Sequence, residues 1–175
     1  FTDPIINYLQ SKGIPVQNYQ WESFTARVKW KELSGIIISA SPKGNNDNFE
    51  QRLQSFAWLE KCELPVLGIC AGHQLINCAF GARLVKNRES EDGLFRVRIL
   101  EKDPVFHGMG TYLEVEQHHL DSVSLTQDFE LLASSERCRV QAVRHKKRPL
   151  VSVQWHAEIS SPEVILNWSR KLKQD

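Results

Sequence analysis

Residues 65–74, Pro-Val-Leu-Gly-Ile-Cys-Ala-Gly-His-Gln, constrain this chain more than any other stretch. An apolar run that reads as a buried strand stops at a Gly-x-Cys-x-Gly turn. A helical pattern, Leu75-Ile76-Asn77-Cys78-Ala79-Phe80, starts directly after it. This is the pattern of a nucleophile elbow, in which glycines flank the reactive residue because side chains there would collide with neighbouring backbone. Cys70 then stands at the start of a helix, where the dipole lowers a thiol pKa and free N–H groups can hold an oxyanion. A free cysteine is most often a small buried hydrophobe. The glycines two residues before and two after Cys70 favour catalysis instead.

A thiol nucleophile needs a base, and the base needs an orienting acid. Among the six histidines, the best placed is in Val151-Ser152-Val153-Gln154-Trp155-His156-Ala157-Glu158. Val151 and Val153 alternate with polar residues as in a strand, so His156 falls at or just past its carboxyl end, where open α/β sheets keep their sites. Glu158 points to the same side if the chain stays extended. A Cys70-His156-Glu158 triad is therefore available.

These residues together resemble the class I (triad-type) glutamine amidotransferase family. Gly68 to Gln74 is similar to that family's nucleophile motif, and Gln154-Trp155-His156-Ala157-Glu158 to its Gln-Phe-His-Pro-Glu. Gly35 to Pro42 sits where the family has a strand ending in Ser-Gly-Gly-Pro. The resemblance covers nearly the whole chain. Within the family, Cys138 to His145 and the strand after it look most like the GMP synthetase branch.

The resemblance implies a reaction. Cys70 attacks the side-chain amide of L-glutamine, His156 moves the proton to the leaving ammonia, and Glu158 orients His156. The backbone N–H groups of Ala71 and Ser41 hold the oxyanion, and Gln74 helps to position the substrate. Ammonia passes to a separate synthetase subunit, since no acceptor machinery fits in the chain. Two other readings keep the same residues: a stand-alone γ-glutamyl hydrolase or transferase, and a catalytically degenerate homologue kept for binding. Three positions depart from the family. Ala40 and Ser41 replace glycines, which matters if the backbone there needs positive φ, and Ala157 replaces a proline between His156 and Glu158.

Length and charge agree with this reading. The 175 residues are 41% hydrophobic, enough for one compact domain over residues 1–175. A net charge of +1 provides no field to draw in nucleic acid or an anionic membrane. The basic run His145-Lys146-Lys147-Arg148 reads as a hairpin turn. No apolar run is long enough for a membrane span, and there is no signal-peptide pattern. Cys62, Cys70, Cys78 and Cys138 form no Cys-x-x-Cys pair, so no metal or cofactor is expected and the setting is reducing and cytoplasmic.

Taken in order, Phe1 to Leu9 forms a helix closed by Gly13, and the resemblance places a first strand before residue 1. Ile14–Tyr19 and Leu33–Ser39 read as strands. Asn45-Asn46-Asp47 is a turn, with Asp47 and Glu50 capping a helix whose inner face is Phe49, Leu53, Phe56 and Ala57. Beyond Gly81 come shorter alternating strands around Phe95-Val97-Ile99, Leu113-Val115, Phe129-Leu131 and a hairpin of Val140–Arg144 with Leu150–Gln154. Asp103 to Met109 is a structural loop. His119 and Asp121 match a family segment that borders the site, or form a capped turn. A last helix is capped by Ser161 with Pro162 at its first position, its inner face Ile165, Trp168 and Leu172. The fold class is α/β: an open, mostly parallel, doubly wound, flavodoxin-like sheet with flanking helices and a short antiparallel extension.

Overall fold

The computed structural model describes residues 1–41 and 49–173. Pro42, the Asn45–Asp47 turn and the Asp47 cap lie outside the described residues.

In chain order the helices are α1 (Thr2–Ser11), α2 (Phe24–Arg27), α3 (Phe49–Ser55), α4 (Ala71–Ala79), α5 (Ala157–Ser160) and α6 (Glu163–Arg170). The strands are β1 (Ile36–Ile38), β2 (Val66–Ile69), β3 (Leu84–Ile99), β4 (Tyr112–Val123), β5 (Phe129–Ser134), β6 (Ala142–His145) and β7 (Leu150–Val153). They form one sheet of order β1-β2-β7-β6-β5-β3-β4. β1, β2 and β7 are parallel neighbours, and the remaining pairings are antiparallel. The α/β class and the open sheet with flanking helices are as expected.

The antiparallel extension, however, is not short. β3 and β4, 16 and 12 residues long, pair over most of their length, because their apolar–polar alternation buries one face and leaves the other to solvent. Among the described residues, parallel pairing is confined to the three strands around the elbow.

Side-chain alternation divides the core between the two faces of the parallel block. Leu67, Ile69, Val151 and Val153 pack with Ile5 and Leu9 of α1 and Ile165 and Trp168 of α6. Val66 and Leu150 pack on the opposite face with Leu75 and Ile76 of α4. Helices thus cover both sides, which makes the block doubly wound.

Four local expectations need correction. Ile14–Tyr19 joins no ladder: a strand exists only with a neighbour to pair, and among the described residues β1 pairs with β2 alone. Ile14–Tyr19 and β1 both line an open cavity of about 710 Å³. Ala57 is exposed, because α3 ends at Ser55 and a tighter 3-10 turn, Ala57–Lys61, turns Leu59 inward instead. Ser161 is not a side-chain cap, since its hydroxyl accepts a hydrogen bond from Trp155 Nε1 at 2.8 Å. The stretch around His119 and Asp121 is strand β4, not a turn.

Two turn readings are borne out. His145 Nδ1 accepts from the backbone N–H groups of Lys147 and Arg148, both at 3.1 Å, closing the basic β6–β7 hairpin. The Asp103 carboxylate accepts from Val105 N–H at 2.9 Å and pairs with Arg144.

Candidate active site

Cys70 joins β2 to α4 with φ +52° and ψ −106°. It is the one non-glycine residue at positive φ among the described residues. Such a conformation costs on the order of 1–3 kcal/mol and persists only where its surroundings enforce it. Here both sides do. Cys70 N–H donates to the Val153 carbonyl at 2.9 Å, and its own carbonyl accepts from Gln74 N–H at 3.1 Å in the first turn of α4.

The flanking glycines permit close approach. A Cβ on Gly72 would lie 2.0 Å from the Ile38 carbonyl oxygen, and one on Gly68 would lie 2.8 Å from the Gly72 carbonyl. Helix α4 therefore rests directly on β1 and β2, as the motif implied.

His156 follows β7, the parallel neighbour of β2, so both residues lie at the carboxyl ends of adjacent strands. His156 Nδ1 and Glu158 Oε1 are 2.8 Å apart, with side chains 2% and 0% exposed. The buried Glu158 carboxylate accepts a hydrogen bond from Nδ1–H, which leaves Nε2 as the basic nitrogen. The pairing forms without the family's proline: Ala157 is fully buried and opens α5. Phe1 stacks on the His156 ring at 4.7 Å, and His118 lies 5.4 Å from it.

The thiol itself departs from the expectation of a lowered pKa. Burial pushes Cys70 up to about 12, the Glu158 charge adds to this, and only the Ala71 N–H works the other way. Desolvation outweighs the start of the helix. Cys70 therefore rests as a thiol, and its proton must leave during attack, which calls for a base.

Ser41 and Ala71 line the same cavity. Ala40 and Ser41 do not adopt positive φ, so the loss of glycine there brings no left-handed strain. Gln74 is 3% exposed, and its Nε2 donates to the Asp121 carbonyl at 2.8 Å and to Gln154 Oε1 at 3.1 Å. Gln154 Nε2 in turn donates to Cys70 Sγ at 3.8 Å. Gln154 opens the second sequence motif, in which the sequence pattern points only to His156 and Glu158. The strand register Ile69↔Val153, which puts Gln154 beside Cys70, is the signal that could have found it. The Phe1 and His118 contacts had no local signal.

His73, inside the stretch from Gly68 to Gln74, has a structural role. It is fully buried and bonded through Nδ1 to Ser152 Oγ at 2.8 Å. Burial first, then His119, pushes it down to about 3. The unfolded imidazole takes its proton near 6.5, so its contribution to stability is complete above that pH. As pH falls from 6.5 towards 3 the contribution is lost, at up to about 1.4 kcal/mol per pH unit. Urea unfolding at pH 7, 6 and 5 should show this decline, and His73→Gln should flatten it.

A second buried polar group lies under β3 and β4. Glu91, His119 and Cys138 bring ligand-type atoms within 4.8 Å of one another. Each is engaged in hydrogen bonding. Glu91 accepts from Ser135 Oγ at 2.7 Å and Gln141 Nε2 at 2.8 Å and pairs with His119 at 3.0 Å. Cys138 contacts the Val140 carbonyl. No described helix is long and apolar enough to cross a membrane.

The profile of the family named glutamine amidotransferase class-I matches residues 1–167. Over 138 residues the chain is 37% identical to a subunit of the glutamine-hydrolysing GMP synthase of Pyrococcus abyssi, covering 78% of this chain and 72% of that protein. It is 33% identical over 149 residues to the corresponding subunit from Archaeoglobus fulgidus, covering 85% and 79%. A crystal structure from Thermoplasma acidophilum, assigned to the same GMP synthase subunit, superposes with a TM-score of 0.89 at 26% identity, covering 100% of this chain and 92% of that one.

Proposed function

Because the chain belongs to the glutamine amidotransferase class-I family, we propose that it hydrolyses L-glutamine to glutamate and ammonia through a γ-glutamyl thioester on Cys70, working as a single amidotransferase domain. The observation that carries this reading is the enforced positive φ of Cys70, on a strand beside the one that leads into the buried His156–Glu158 pair.

In the proposed cycle His156 Nε2 takes the thiol proton as Sγ attacks the amide carbon, and returns it to nitrogen as ammonia leaves. Glu158 holds the ring and offsets its developing charge. The Ala71 and Ser41 N–H groups receive the oxyanion. Water, deprotonated by His156, then adds to the thioester carbon, and the C–S bond breaks to release glutamate as His156 returns that proton to the Cys70 sulfur. Gln74 contributes to the glutamine site from behind the thiol.

The acceptor of the ammonia is a separate synthetase subunit; the relatives' names point to a GMP synthase. The cytoplasm is the setting that keeps the thiol reduced.

Glutamate release from L-glutamine, measured with the purified chain alone and then with the acceptor subunit of a GMP synthase, tests the reading. Turnover in either case supports it. Turnover only of γ-glutamyl conjugates would favour the stand-alone hydrolase, and no turnover under either condition would favour a degenerate homologue.

A further inference from the structure

We propose that Gln154 is a positioning residue for the nucleophile: its carboxamide, oriented by Gln74 and the Asp121 carbonyl, presents an N–H to the Cys70 sulfur. The proposal rests on the reading of Cys70 as the nucleophile. The orientation is set from a group that cannot turn round.

The Asp121 carbonyl belongs to the backbone of β4 and can only accept. It accepts from Gln74 Nε2 at 2.8 Å and lies 3.0 Å from His119 Nδ1. This fixes which end of the Gln74 amide is NH₂. The same nitrogen lies 3.1 Å from the Gln154 amide and can only donate to it, so the Gln154 atom facing it must be Oε1. The Gln154 NH₂ is then left to face Cys70 Sγ, at 3.8 Å. Turning the Gln154 amide over would set two donors against each other and aim an oxygen at the sulfur.

The chain of contacts has a firm far end. His119 Nε2 lies 2.7 Å from Gln117 Oε1 and 3.0 Å from Glu91 Oε2, and the Glu91 carboxylate is held by Ser135 and Gln141. Gln141 is tied back to Gln154, whose backbone N–H donates to the Gln141 carbonyl at 2.7 Å. Gln154 and Gln141 are fully buried and Gln74 nearly so, so the bonds that orient the Gln154 amide are made away from water, where each is stronger, although Gln117 Nε2 and Gln141 Oε1 in the same cluster have no partner among the described residues.

At the sulfur, the charged neighbour is Glu158, which opposes thiolate formation, while the Ala71 N–H favours it. The Gln154 N–H adds a second donor. It strengthens as the sulfur gains charge, because a hydrogen bond to an ionised acceptor is the stronger kind.

The test measures the rate of Cys70 alkylation by iodoacetamide against pH, located by peptide mapping, in wild type, Gln154→Ala, the isosteric Gln154→Glu and Gln74→Glu. Glutamine kcat and KM are measured alongside. Burial holds Cys70 near 12, so between about pH 7 and 9 the alkylation rate tracks the small thiolate fraction, and Gln154→Ala is expected to slow it about tenfold at each pH. It is expected to lower kcat about tenfold with KM little changed. Gln154→Glu should slow alkylation further, since a carboxylate then faces the sulfur, and it decides the matter if the alanine variant does not fold. Gln74→Glu should act in the same direction by turning the Gln154 amide over.

Alkylation rates and kcat for both Gln154 variants that superpose on wild type would overturn the proposal. Slower alkylation in the Gln154 variants with no change in Gln74→Glu would overturn the orientation by Gln74. Wild-type Cys70 that alkylates but never hydrolyses glutamine would overturn the proposed function, leaving the alkylation profiles to decide the role of Gln154 independently.

Discussion

Cys70→Ala is expected to lower glutamine hydrolysis by about 10⁴-fold or more while leaving the protein folded. No second thiol can substitute, because Cys62 and Cys78 pack in the opposite hydrophobic cluster and Cys138 lies in the network under β3 and β4. The His156–Glu158 pair stays in place but has no proton to accept. The stability of the variant follows from the backbone. Alanine keeps a Cβ at φ +52°, so the elbow remains strained, whereas Cys70→Gly removes the strain at a smaller cost in chain entropy. Urea unfolding should therefore rank Cys70→Gly as more stable than Cys70→Ala, with both inactive. A glycine variant less stable than the alanine variant would contradict the assignment of strain to this residue.

Gly72→Ala should be among the most damaging single changes in the chain. The new Cβ would meet the Ile38 carbonyl oxygen at 2.0 Å and its carbon at 2.8 Å. That carbonyl cannot withdraw freely, since Ile38 is the partner of Gly68 in the β1–β2 ladder. Helix α4 must lift off the sheet, taking the Cys70 turn with it. A loss of about 3 kcal/mol or more is expected, a large share of the roughly 5–15 kcal/mol typical of a whole domain, together with loss of hydrolysis. Gly13 provides the comparison. Nothing lies within 4 Å of a Cβ there, and only its φ of +73° opposes alanine, so Gly13→Ala should cost about 1 kcal/mol. Equal urea midpoints for the two variants would refute the close-approach account of the elbow.

How much could be read in advance depended on whether the determinants were local. The elbow was legible because the glycines, the apolar strand and the helix are contiguous, and the steric reason for them acts within a few residues of Cys70. The His156–Glu158 pair was legible for the same reason, being two residues apart at a strand end. Ile14–Tyr19 has the apolar content of a strand, but pairing depends on a neighbour that no local pattern reveals. Ser161 reads as a cap from its place before Pro162, yet its hydroxyl is taken by Trp155. The thiol departs from its sequence pattern because a helix start is visible in sequence and burial is not, and here burial pushes Cys70 up to about 12. The Gln74–Gln154 contact joins residues 80 positions apart and appears only once β2 and β7 lie side by side.

The most direct test of the central claim is intact and peptide-level mass measurement of the chain, acid-quenched during turnover of L-glutamine. The expected result is a species heavier by one γ-glutamyl group, carried on the peptide containing Cys70 and absent from Cys70→Ala. Glutamine turnover with no adduct under any quench condition, or an adduct on Cys62, Cys78 or Cys138, would contradict it.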